Sequence, residues 1–160
     1  MAARSAGILL YRYGTGGAVE VLIGHLGGPF WAHRDQGAWS IPKGEYGDDE
    51  DAEAAARREF VEELGLPLPD GPLRGLGELR QPSGKRLSVW ALEGDLDVTA
   101  MRPGTFTLEW PPTSGQLMQF PELDRAAWLD VESARPLLAK GQRPFLDLLL
   151  ELLRGSADPP

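Results

Sequence analysis

The sequence predicts a mixed α/β chain, and three observations carry that prediction. Short aliphatic runs bounded by glycine and proline recur along it, the clearest being residues 5–12 (SAGILLYR) and 19–26 (VEVLIGHL). Ala56, Phe60 and Leu64 repeat at helical spacing in the middle of the chain. Phe145, Leu148, Leu149, Leu152 and Leu153 do the same near its end. Strands interleaved with one central and one terminal helix give an α/β arrangement. Periodicity alone leaves α+β open as well.

The elements follow in order. Strands are expected over 5–12 and 19–26, joined by the turn chemistry of Gly14-Thr-Gly-Gly17. Residues 27–37, rich in glycine, read as a loop, and Trp39–Ile41 as a short strand stopped by Pro42. Asp48, Asp49, Glu50 and Asp51 then set negative charge at the start of a helix, where the macrodipole favours it. That helix is expected from about Asp49 to Leu64, with Gly65 just past its end, a position that tolerates left-handed geometry. Strands are expected over 73–79 and 85–94 around a Gln81-Pro-Ser-Gly turn, over 105–110 before Pro111-Pro112, and over 125–131. A short helix over 131–139 precedes the terminal one, which opens on Pro144 in its first turn. The reading is one domain over 1–154 with a frayed tail at 155–160.

Composition bounds the function. The 160 residues suffice for a substantial core without staples, and 42% hydrophobic with 25% charged residues is ordinary for a soluble globular protein. Cysteine is absent, which excludes disulfides, thiolate metal sites and thiol nucleophiles. The early apolar run GILLY is too short for a signal region or a membrane span, so no membrane partner and a cytoplasmic location are expected. A net charge of −8 argues against polymeric nucleic acid as a partner. A small polyphosphate remains open, because bound cations reverse the local field.

Residues 44–66, GEYGDDEDAEAAARREFVEELGL, carry the chemistry. On a helix, Glu62 lies about 60° to one side of Glu59 and Glu63 about 40° to the other. Their carboxylates share a stripe about 100° wide, with repulsion of about 3 kcal/mol per pair at an effective dielectric of about 20. Such a stripe suits a hard divalent cation bound through oxygen. EFVEE by itself is more often a solvated acidic face. Its context reverses that reading.

Gly44, Glu50, Arg58, Glu59, Glu62, Glu63 and Gly65, with Phe60 and Leu66 in the apolar slots, resemble the signature of the Nudix hydrolases at every fixed position. The resemblance implies the Nudix fold, a mixed β-sheet sandwiched between α-helices. It also implies hydrolysis of a phosphoanhydride in a nucleoside-diphosphate-linked compound with Mg2+, for which Mn2+ can substitute. Carried over position by position, Glu59, Glu62 and Glu63 match the helix ligands, Glu59 being either a ligand or the group that handles water. A backbone carbonyl at Lys43 or Gly44 is a further candidate ligand. Arg58 is expected to pair with carboxylates such as Glu50 and hold the loop against the helix. An added ligand or base from outside the motif could be Glu109 or Glu122. The chain departs from many relatives in having Asp49 and Gly47 where they carry a glycine and an acid, so Glu45 or Asp48 could substitute in the loop.

Substrate signals are weaker. Trp39-Ser-Ile-Pro-Lys-Gly44 is similar to the lead-in of Nudix members acting on diadenosine polyphosphates and diphosphoinositol polyphosphates, which would set Lys43 beside phosphates as a point charge. The alternative is a core Trp39 and a solvated Lys43. His33, Arg34, Lys85 and Arg86 are candidates for a phosphate-rich cleft, although each singly is more often an ordinary loop residue. Trp31 or Trp110 could stack on a base, but large aromatics usually pack. Pro82 resembles a downstream proline of ADP-ribose-cleaving members in a turn that would hold proline anyway. The first expectation is a small nucleotide substrate, with dinucleoside polyphosphates ahead of ADP-ribose or nucleoside triphosphates. A binding-only sensor is the rival class. A homodimer stays open.

Overall fold

The computed structural model describes residues 3–157. Strands β1 (Arg4–Tyr13) and β2 (Val19–Leu26) form an antiparallel pair only at Tyr11↔Val21, Arg12↔Glu20 and Tyr13↔Val19. Beyond that they diverge, and the wedge between them is filled by one continuous segment. Its first part, β3 (Trp39–Ser40), bonds to β2; its second, β4 (Lys43–Tyr46), bonds to β1 from Gly7↔Lys43 to Arg4↔Tyr46. The change of partner falls at Pro42, which has no N–H to give a ladder, while its carbonyl accepts from Ile8 N at 3.2 Å. The expected strand at Trp39–Ile41 is thus one residue shorter. Strand β4 was not expected, because KGEY carries little strand signal of its own and becomes a strand by pairing with β1.

Strand β6 (Arg86–Glu93) runs parallel to β1 over its whole length, and β5 (Arg74–Arg80) closes the sheet antiparallel to β6. On the other side β9 (Leu123–Asp130) pairs with β2. A separate hairpin is made by β7 (Thr105–Glu109) and β8 (Leu117–Pro121). Strand β8 has no counterpart among the expected strands, because its residues are mostly exposed and show no one-sided apolar alternation.

Both faces of the sheet are covered, which explains why β1 reads as a continuous apolar run. Ala6, Ile8 and Leu10 point to one side, where Ala55, Ala56, Phe60 and Leu64 of helix α1 (Ala52–Leu64) meet them. Leu9 and Tyr11 point to the other side, toward Ala134 of α2 (Val131–Leu137) and Phe145, Leu146 and Leu149 of α3 (Pro144–Ala157). Helix α1 starts later than expected. Asp51 is its cap, accepting from Ala54 N at 3.1 Å, so the acids before it lie in the approach loop rather than in the first turn. Helix α3 continues through Gly155 to Ala157, past the start of the expected fray; residues 158–160 of that tail lie outside the described residues.

Candidate active site

The pairing of β4 with β1 sets Lys43, Gly44 and Glu45 beside the glutamate stripe of α1. Together they line a cleft of about 490 Å³ that also includes Ser5, Lys85, Thr105 and Glu122. Glu59, Glu62 and Glu63 all face it. The contact between β4 and α1 is close: a Cβ on Gly44 would run into the Glu59 carboxyl. Glycine here is a steric requirement for the carboxylate above it.

Arg58 ties the site together. Its Nε and Nη2 each donate to Glu50 at 2.8 Å in a bidentate pair, and Nη1 donates to Glu59 at 2.8 Å and Glu62 at 3.1 Å. The guanidinium holds Glu50 below the usual carboxylate range. Glu59 behaves oppositely: burial raises its carboxyl, and Arg58 only partly offsets the rise. Glu63 is the most perturbed acid of the cleft. Burial, then the nearby Glu122, pushes it up to about 8, against the pull of Lys43. Its Oε2 is buried with no hydrogen-bond partner among the described residues. Burial also lowers Lys43 from the ordinary lysine value, with Glu63 opposing that shift. Lys85 donates to Glu45 at 2.8 Å and thereby holds that acid low.

Glu122 reaches the cleft through a chain of backbone bonds. Helix α1 ends at Gly65, left-handed at φ 63°, and its terminal carbonyls need outside donors. Arg102 N donates to Leu64 O at 2.8 Å and Gly104 N to Glu62 O at 3.0 Å. Gly104 O then accepts from Glu122 N at 2.8 Å, and Glu122 O from Gly27 N at 3.0 Å. Of the two outside acids weighed from sequence, Glu122 lines the cleft, whereas Glu109 accepts from Thr113 N at 3.0 Å in the hairpin turn. Ser5 and Thr105 also line the cleft and carried no sequence signal.

A second cleft of about 340 Å³ adjoins the first and shares Ser5, Lys43 and Lys85 with it. Trp31, Pro82, Leu87 and Gln142 are among its walls. Other sequence candidates lie elsewhere. Arg34 lines neither cleft, and its guanidinium sits 5.8 Å over the Trp31 ring. His33 is exposed in the loop, and Arg86 reaches Glu78 at 3.3 Å. Asp48 pairs with Arg4 and lines neither cleft. Trp110 meets Phe30 edge-on at 5.5 Å, and Trp39 is core.

As they stand, no three acidic or histidine side chains among the described residues are grouped tightly enough to hold an ion. Glu59 and Glu62 are turned to Arg58. The donor set nevertheless fits a hard divalent cation: the cleft offers carboxylate oxygens, and the orphaned oxygen of Glu63 has no donor among the described residues to satisfy it. A dication among these acids would also offset the burial, and the repulsion from Glu122, that together raise Glu63.

Residues 1–149 match the NUDIX domain family. An RNA pyrophosphohydrolase of Rhodospirillum rubrum is 30% identical over 97% of this chain and 94% of its own. Among solved structures, a binary complex of a C. elegans Ap4A hydrolase superposes with a TM-score of 0.65 at 21% identity, covering 96% of this chain and 99% of that one. The NUDIX domain of Shewanella oneidensis NrtR, complexed with ADP ribose, gives 0.64 at 15% identity over 96% and 89%. The chain belongs to the Nudix family, and with it to the enzymes that hydrolyse phosphoanhydrides. Nudix hydrolases generally use divalent metals.

Proposed function

We propose that the protein is a Mg2+-dependent pyrophosphohydrolase of small nucleotides, with dinucleoside polyphosphates as its leading substrates. One observation carries this reading: an acidic cleft and a more apolar cleft meet across Ser5, Lys43 and Lys85. Such a pair suits one half of a dinucleoside polyphosphate, one nucleoside in the second cleft and the phosphates in the first, the lysines standing where the two parts join. Lys43 and Lys85 would donate to phosphate oxygens, and Trp31 would pack against the base. Glu59, Glu62 and Glu63, with the Gly44 carbonyl, would hold the cation. When bound, it withdraws charge from the phosphoanhydride oxygens and eases deprotonation of water. Arg58, through Glu50, keeps loop and helix in register while this happens. The proton of the attacking water passes to Glu59 or Glu122, both of which face the cleft.

A second reading is the 5′-triphosphate end of RNA, favoured by the name of the Rhodospirillum rubrum relative and opposed by the net charge of −8. The test is product release from diadenosine polyphosphates, ADP-ribose, nucleoside triphosphates and 5′-triphosphate RNA, with Mg2+ or Mn2+, wild type beside Glu62→Gln. Dinucleoside polyphosphates leave two nucleotides, ADP-ribose leaves AMP, and triphosphates release pyrophosphate. Turnover of dinucleoside polyphosphates by wild type and its loss in Glu62→Gln supports the proposal. Preference for another class replaces the substrate assignment. A folded, Mg2+-responsive protein with no turnover would instead fit a sensor.

A further inference from the structure

His25 is fully buried on β2 and has no part in the reaction proposed above. Its ring is held from two sides. Nδ1 lies 2.9 Å from Asp124 Oδ1, and Nε2 lies 2.6 Å from the carbonyl oxygen of Arg34. Both partners are acceptors, and the ring presents one nitrogen to each. Trp39 closes the pocket edge-on at 5.4 Å.

The two partners belong to different walls of the site. Strands β2 and β9 run in register to His25↔Arg125 and then jump to Leu26↔Leu123, which leaves Asp124 as the extra residue of a β-bulge. Bulges re-aim the side chains beside them. Here the residue two places earlier is Glu122, which faces the carboxylate cleft. Arg34 belongs to the 27–37 loop, whose Trp31 and Gly37 wall the second cleft. Arg125 also reaches Asp124 at 3.6 Å, so removing the imidazole does not strip Asp124 of charge partners. What disappears is its tie to β2.

We infer that His25 is a positioning residue with two separable arms: Nδ1 fixes the Asp124 bulge that aims Glu122, and Nε2 fixes the loop that walls the second cleft. The inference rests on the two-cleft reading given under the proposed function. It explains why a histidine, able to offer a nitrogen in two directions, stands at a position surrounded by core.

The arms can be cut one at a time. His25→Asn sets an amide nitrogen near the Nδ1 position and keeps the bulge arm alone; His25→Gln sets one near Nε2 and keeps the loop arm alone. With the best substrate of the panel, His25→Asn should raise KM about fivefold with kcat nearly unchanged, the effect of one lost hydrogen bond. His25→Gln should lower kcat by about the same factor and spare KM. Asp124→Ala, at a position 30% exposed and so tolerant of change, should repeat the His25→Gln pattern. Asp124→Asn keeps an acceptor oxygen and should restore wild-type behaviour.

A substrate-free readout separates this inference from the one beneath it. The amides of Arg34, Gly37 and Ala38 are bonded to the carbonyls of Trp31, Pro136 and Asp35. Their hydrogen exchange should accelerate in His25→Asn and stay at the wild-type rate in His25→Gln. Equal exchange in both variants, or kcat and KM moving together in both, would overturn the inference. The predicted exchange pattern with no shift of KM would uphold the loop arm and overturn the second cleft as a nucleotide site.

Discussion

At the scale of single residues, the site depends on who is absent as much as on who is present. Gly44 has no side chain because the Glu59 carboxyl occupies the space a Cβ would need. Gly44→Ala should therefore leave the sheet intact and displace Glu59. We expect turnover to fall by about a hundredfold, the usual loss for a misplacement of about 1 Å at a reacting centre, with the far-UV spectrum unchanged. Arg58 makes a similar point through geometry. A lysine keeps the charge but cannot fork onto both oxygens of Glu50 while also reaching Glu59 and Glu62. Arg58→Lys should behave closer to Arg58→Ala than to wild type in a Mg2+-dependent rate assay. Rescue of activity by lysine would show that charge alone suffices.

At the scale of elements, helix α1 is held at both ends by different devices. Asp51 caps its start, and Asp51→Ala should lower stability by about 1 kcal/mol in urea unfolding. At its other end Gly65 adopts φ 63°, and a Cβ there would also meet the Arg102 carbonyl. Gly65→Ala should destabilise by more than the Asp51 change, because left-handed strain of about 1–2 kcal/mol adds to displacement of the Arg102–Gly104 strap bonded to the helix end. It should also reduce activity, since the strap leads through Gly104 to Glu122. A variant less stable yet equally active would show that the strap does not position Glu122. The helix middle relies on burial. Phe60 is fully buried against β1, and Phe60→Ala is expected to remove about 3–5 kcal/mol.

At the scale of the whole molecule, the acidic cleft couples stability to pH and to metal. Glu63 titrates near 8 in the folded chain against an ordinary value of 4.5, so the fold binds its proton more tightly than the unfolded chain does. Stability contributed by that proton is present below about 4.5 and is lost as pH rises toward about 8, then levels. Calorimetry in EDTA should show a Tm falling across that window, and Glu63→Gln should flatten the fall. Magnesium should flatten it as well, because a bound cation favours the charged carboxylates. At about one hundred times its dissociation constant the ion adds about 2.7 kcal/mol. A slope in Glu63→Gln equal to that of wild type would assign the pH dependence to other groups.

The amino-acid sequence alone determined what depends on near neighbours along the chain. The glutamate stripe follows from 3.6 residues per turn, the end of α1 from Gly65, and the apolar run of β1 from burial on both faces. The motif of residues 44–66 therefore announced its family and its chemistry before any contact was known. Everything that depends on distant pairing needed the tertiary structure. Residues 43–46 became a strand because β1 and β2 diverge and leave unpaired backbone for them to satisfy. Glu122 entered the cleft, and Glu109 did not, because backbone bonds from the end of α1 reach one and the hairpin turn takes the other. Arg34, a plausible phosphate ligand by composition, points its guanidinium over Trp31 and gives its carbonyl to His25. Local rules fix which side chains share a helix face, but a contact between residues far apart in the chain is set by the register of the sheet. That register is a property of the whole fold.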